Sequence, residues 1–158
     1  METETATRWL TDAEQCAWRT HLDVNRLLMH QLEKDLQPFG LTMNDYEILV
    51  NLSESEGHRM RMSDLATATL QSKSRLSHQI TRMETAGLVR RVNCESDRRG
   101  LYAVLTDDGM ETMRKVAPHH VASVREHFID LLPPEALKAL HASLTPVAEH
   151  LRGTRGKI

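Results

Sequence analysis

Apolar positions recur with a helical period at both ends of the chain and in shorter, mixed patterns in the middle. Thr11 and Glu14 have the T-x-x-E form of a capping box, in which each side chain accepts from the other's backbone. A long helix is predicted from there to about Gln37, with Leu28, Leu32 and Leu36 on one face. Pro38 and Gly40 stop it. Thr42 caps a second helix that has Asp45 in its first turn, presents Tyr46, Leu49 and Val50 on its apolar face, and ends near Ser53. Arg59-Met60-Arg61 alternates and reads as a small edge strand. Ser63 is placed as the cap of a third helix, Asp64 to about Thr69. Gln71 and Ser72 separate it from a fourth, which runs to Glu84 and stops at Gly87. Leu88 to Cys94 and Leu101 to Leu105 read as a hairpin with a charged tip, Glu95 to Gly100.

From Thr106 the period is helical again. Met110, Met113, Ala117, Val121, Val124, Phe128 and Leu131 form one stripe, with Pro118 expected to kink it. Pro133-Pro134 interrupts, and Pro134 suits the first position of a new helix. Leu137, Leu140, Leu144, Val147 and Leu151 then repeat at spacings of 3, 4, 3 and 4, a strict a/d seam. The tail from Gly153 to Ile158 is expected to fray. The fold class is therefore mainly α (α+β): a winged helix-turn-helix between long terminal helices. The boundaries are placed at 1–38, 39–105 and 106–158. The outer stripes exceed what one small domain needs, and a stripe without a partner in the monomer usually finds one in a second copy.

Composition narrows the class. The 158 residues are 40% apolar and 27% charged but only 4% aromatic, which favours helices over an all-β sandwich. Two cysteines, Cys16 and Cys94, make neither a disulfide framework nor a Cys-rich zinc module. No apolar run approaches the roughly 20 residues of a membrane span, and METETATRWL is unlike a signal peptide, so a cytoplasmic location is expected.

The fourth helix carries the sharpest chemical signal. Leu76, Ile80 and Met83 would pack inward, while Arg75, His78, Gln79 and Arg82 share a face displaced by roughly a third of a turn. Arg pairs with guanine O6/N7 and Gln with adenine N6/N7, so these four are candidates for base edges. Ser72, Lys73 and Ser74 open the helix, where free N–H groups and the dipole favour phosphate. Alone, such a face is more often a solvated one. The hairpin tip holds Arg98 and Arg99 beside Asp97, with Arg90 and Arg91 just before it. Narrow A·T-rich minor grooves attract such arginines, and Asp97 would hold one guanidinium in direction. A soluble turn with a local salt bridge is the plainer alternative. The net charge of −2 conceals an asymmetry that favours nucleic acid: residues 59–99 carry nine basic and four acidic side chains, net +5, and the rest of the chain −7.

The helix-turn-helix, the D-R-R-G wing and the following L-T resemble the MarR family of bacterial winged-helix transcription regulators. Asp97, Arg99, Leu105 and Thr106 match the family's D-x-R…L-T pattern; Gly40–Val50, Ser63–Ala66 and Glu84–Val89 match in style. Ser96 stands where a proline often precedes the wing aspartate. The resemblance runs from about Glu14 to Leu151. It implies a homodimer with interlocking terminal helices, double-stranded DNA as partner, the fourth helix in the major groove and Arg99 in the minor groove. It also implies a ligand cleft between the dimerisation helices and the DNA-binding lobe.

No cofactor is expected beyond a small aromatic or phenolic effector. Trp18, His21 and Arg26 on the first helix, with Met43 and Tyr46 on the second, are the candidate lining; packing residues and a surface histidine are the alternative. Redox sensing through Cys16 or Cys94 would need a lowered thiol pKa. His119, His120, His127, His21 and His30 form no H-x-x-x-H pair, so they read as surface histidines rather than metal ligands. No catalytic motif occurs, and an enzyme is not expected. The reading is a homodimeric transcriptional repressor binding a pseudo-palindromic operator. Redox- or metal-responsive regulation, or a winged-helix protein-interaction adaptor, are its alternatives.

Overall fold

The computed structural model describes residues 7–94 and 97–155, and all of their side chains except those of 97–99 and 155. The helices are α1 (Asp12–Leu36), α2 (Met43–Glu54), α3 (Met62–Ala68), α4 (Lys73–Thr85), α5 (Asp107–His127) and α6 (Pro134–Arg155). The strands are β1 (Arg59–Arg61), β2 (Val89–Cys94) and β3 (Asp97–Leu105), in an antiparallel sheet of order β1-β3-β2. Local chemistry fixes most helix starts. Thr11 and Glu14 form a reciprocal capping box, as do Thr42 and Asp45. Ser72 accepts from Arg75 N–H, and Thr106 from Gly109 N–H. Each such cap satisfies a donor that the helix leaves orphaned.

Three boundaries differ from expectation. First, α3 begins at Met62 rather than being capped by Ser63, whose hydroxyl donates instead to Asp64 at 3.2 Å. The cause is β1: Arg61 is held extended by pairing with Tyr102, so the helix starts directly after it. Second, β3 starts at Asp97, and Cys94 pairs with Asp97. A register shift between Asn93 and Cys94 lets the ladder run on through residues assigned to the tip; Glu95 and Ser96 lie outside the described residues. Third, α6 stays helical to Arg155, past the predicted fraying point; residues 156–158 lie outside the described part.

The core lies in the middle of the chain. Leu36, Ile48, Leu49, Leu52, Leu65, Leu76, Ile80, Met83, Val89, Ala103 and Val116 are fully or nearly fully buried, joining α1, α2, α3, α4, α5 and the sheet. No residue of the predicted α5 stripe is fully buried: Met110 and Met113 are half-buried against the core, Val121 and Leu131 are exposed, and Phe128 leaves helical geometry at φ −145°, while the buried positions of α5 are Gly109, Val116 and Ser123 on the adjoining face. The first two-thirds of α1 and the described side chains of α6, residues 134–154, include no buried residue. Side chains clamp α5 to α1 where they do meet: Ser123 donates to Asp35, which also accepts from Gln31 at 2.8 Å. That hydrogen bond from Ser123 is the main reason the Asp35 carboxyl sits below its ordinary pKa.

Candidate nucleic-acid interface

Helix α4 has two distinct faces. Leu76, Ile80 and Met83 close the core, and Ser72, Lys73, Ser74, Arg75, Ser77, His78 and Arg82 are exposed. The burial of the apolar face fixes the rotation of the helix, so the basic face is presented by packing rather than by propensity. Two grooves of about 530 Å³ flank α4. One is lined by Arg61, Ser63, Lys73, Ser74, Ser77, Arg91 and Gly100, against α3 and the sheet. The other is lined by Glu33, Thr42, Asn44, Gln71, Arg75, His78 and Arg82, against α2.

Gln79 corrects the sequence reading. It shares the predicted face but is only 9% exposed, and its Nε2 donates to Asp45 Oδ1 at 3.0 Å. A buried amide must satisfy its donors locally, and this one is turned into the protein rather than towards a base. Arg82 also donates to Asp45 Oδ1, from Nη2 at 2.6 Å, while 59% of its side chain stays exposed. The sequence marks Asp45 only as a first-turn acid; its ties to α4 span 34 and 37 residues, which no local pattern reveals.

Arg91 is likewise an internal strut. Its guanidinium pairs with Glu84 and donates to Ser77 O at 2.7 Å and Thr81 Oγ1 at 3.1 Å, tying β2 to α4. Arg90 points to the other side of the sheet and is exposed. Asp97, Arg98 and Arg99 have described backbone in β3, but their side chains lie outside the described part.

The five residues proposed to line an effector pocket fall into two sets. Trp18, His21 and Arg26 are exposed on α1, with Trp18 stacked on His21 at 5.9 Å and Arg26 paired with Asp23 at 2.9 Å. Tyr46 is buried and Met43 half-buried on α2, packed with the core. Tyr46 meets His120 of α5 at a ring distance of 4.3 Å, and Phe39 meets His119 at 4.9 Å. His120 is thus half-buried rather than a surface histidine, its Nδ1 has no partner, and burial lowers its pKa. The α5 stripe hid this, because His120 falls between its apolar positions. Among the described residues no group of His, Cys, Asp and Glu is arranged to hold a metal ion. Cys16 is exposed; Cys94 is buried and accepts from Arg61 Nη2 at 3.4 Å.

A helix-turn-helix with a basic outer face, followed by a two-stranded wing and flanked by long helices, is the arrangement found in known regulators. The MarR family profile matches residues 39–100. The transcriptional regulator PecS of Dickeya dadantii is 30% identical over 136 residues, covering 84% of this chain and 80% of that protein. The chain belongs to the MarR family. Its fold is close to that of AbsC, a MarR family transcriptional regulator from Streptomyces coelicolor, with a TM-score of 0.90 and 85% identity over 93% of this chain and 99% of that one. Sco3205 of the same organism, a MarR family regulator solved in complex with DNA, gives a TM-score of 0.88 and 44% identity, covering 92% of each chain. These MarR relatives are regulators of transcription rather than enzymes. No described helix is long and apolar enough to cross a membrane.

Proposed function

We propose that this MarR-family chain is a homodimeric, cytoplasmic repressor that binds a pseudo-palindromic operator in double-stranded DNA. Residues 39–105 form its DNA-binding unit, and the flanking segments its dimerisation unit. The observation that carries this reading is the exposed row Arg75, His78 and Arg82 on α4, with Lys73 exposed at the helix start, backed by buried Leu76, Ile80 and Met83. A rigid basic helix face of this kind suits the major groove, with two copies spaced one helical turn, about 10 bp, apart or a multiple of it. Arg75, His78 and Arg82 are assigned to base edges, and Ser72, Lys73 and Ser74 to phosphates at the α4 N-terminus. Arg99, with Arg98 beside it and Asp97 as its orienting partner, is assigned to the flanking minor groove.

Release by a small aromatic or phenolic acid is part of the proposal. Two proteins of the same fold support it as analogy: CouR of Rhodococcus jostii is bound to p-coumaroyl-CoA, and DNA binding by BpsR of Bordetella bronchiseptica is regulated by 6-hydroxynicotinic acid.

Titration of a duplex selected by the protein from a random pool, repeated across salt concentrations, tests the core of this reading. Log affinity should fall linearly with log salt, by about 0.9 per neutralised phosphate. A flat response, or no duplex binding, would favour the protein-interaction adaptor.

A further inference from the structure

The structure joins the start of α2 to the recognition helix through one buried carboxylate. Asp45 is 4% exposed. Its Oδ2 accepts from Thr42 N–H at 2.9 Å, closing the α2 capping box. Its Oδ1 accepts from Gln79 Nε2 at 3.0 Å and Arg82 Nη2 at 2.6 Å, both on α4. The α2 start is itself fastened to α1, because Glu33 accepts from Met43 N–H at 2.6 Å. Both oxygens of Asp45 are therefore used inside the protein. Arg82 spends one guanidinium nitrogen on this bond and keeps most of its side chain exposed, on the groove rimmed by Arg75, His78 and Asn44.

We propose that Asp45 is a positioning residue for DNA recognition. Its carboxylate anchors Arg82 so that the free edge of the guanidinium points at the operator, and anchors Gln79 so that α4 keeps its rotation against α2. This rests on the proposed assignment of α4 to the major groove. An unanchored arginine has many rotamers to lose on binding, whereas one held by a charge-assisted bond is already oriented. What Asp45 contributes is direction, since its charge alone works against binding. A carboxylate near a DNA-facing helix repels phosphate, and removing it should on Coulomb grounds tighten every complex.

The two ideas therefore predict opposite signs. Asp45→Asn keeps the shape and the bond from Thr42, but presents an amide to Arg82. In the full-length chain it should weaken binding to the selected duplex by about tenfold, the scale of one directed arginine contact. Affinity for a random duplex of equal length should stay the same or rise. Arg82→Lys, at a largely exposed position, keeps the charge beside Asp45 and should reproduce the lost discrimination. Asp45→Asn combined with Arg82→Lys should lose little more than either alone. Tighter binding of the selected duplex by Asp45→Asn, or full discrimination by Arg82→Lys, would overturn the proposal. Should Asp45→Asn fail to fold, the Arg82→Lys result decides. If the wild-type chain binds no duplex in a salt-dependent way, this inference falls together with the DNA-binding assignment. If the wild type binds and the two substitutions act additively, only this inference falls.

Discussion

His120 shows how a single residue can escape a sequence reading and still set a measurable property. Its position between apolar neighbours suggests a surface histidine, yet α5 docks it on Tyr46 and leaves Nδ1 buried without a partner. Burial disfavours the imidazolium, so its pKa in the folded chain is lower than in the unfolded one. The sign follows. Above the ordinary imidazole value of about 6.5 both states hold a neutral ring and stability does not depend on it. As pH falls through that value the unfolded chain binds the proton more readily, and stability is lost until the folded-state pKa is also passed. Asp35 acts in a different window, because its lowered pKa puts its contribution at risk only below the ordinary carboxylate range. Thermal unfolding of the wild type should thus shift to lower temperature between about pH 7 and pH 5. His120→Phe should flatten that slope, and an unchanged slope would remove His120 as its source. The legible residues are Thr11 and Thr42, caps whose partners are three positions away. Gln79 was misread because its partner is 34 residues distant.

At the scale of elements, apolar periodicity together with cap and breaker residues located the six α-helices and three strands but not the three short 3-10 turns, and two of the boundary differences lie where elements meet. The α3 start was displaced by the pairing of β1, and the wing was lengthened by a shift in its ladder. The junction of α5 with the hairpin is another case that no periodicity reveals. Thr106 donates its hydroxyl to Gly87 O at 2.6 Å, accepts from Gly109 N–H, and so presses the first turn of α5 onto the end of α4 and the start of β2. A Cβ on Gly109 would lie 2.1 Å from the carbonyl oxygen of Leu88 and 2.7 Å from Leu105 Cδ1. Backbone cannot yield as a side-chain tip can, so Gly109→Ala must push α5 away from the sheet. The expected cost is about 1–3 kcal/mol or more, read as a lower urea midpoint at unchanged m-value. Gly153 in α6 meets nothing within 4 Å. There the same substitution should stabilise, by up to about 1 kcal/mol from helix propensity. Equal effects at the two sites would remove the close approach at Gly109 as a source of destabilisation.

For the whole molecule, the low aromatic content and the leucine seams point to one conclusion, and the folded chain sharpens it. Helix α6 is 22 residues long and, among its described side chains, buries none, with Leu144, Val147 and Leu151 exposed. Trp9, Trp18, Leu22 and Leu27 stand equally bare at the other end of the chain. Helical stability in water comes mainly from packing an apolar face, and among the described residues these exposed side chains are left uncovered. A second copy offers the same face with the same period, which is the isologous arrangement of a two-fold dimer. Symmetry makes the prediction steep, because any substitution in the seam acts twice. Leu144→Glu removes about 1.5–3 kcal/mol of leucine burial in each copy, and the charge adds a desolvation cost. The dimer dissociation constant should therefore rise by at least about 10²-fold, which sedimentation at micromolar concentration would report as monomer. Binding to a duplex carrying both half-sites should fall with it, since each monomer then holds only one recognition helix. A duplex carrying a single half-site separates this from damage to the DNA-binding unit: Leu144→Glu should bind it as well as the wild type at saturating protein. A Leu144→Glu chain that stays dimeric would move the interface away from the α6 seam. A monomeric chain with undiminished affinity for the full site would show that pairing through that seam is not what brings the two recognition helices to DNA.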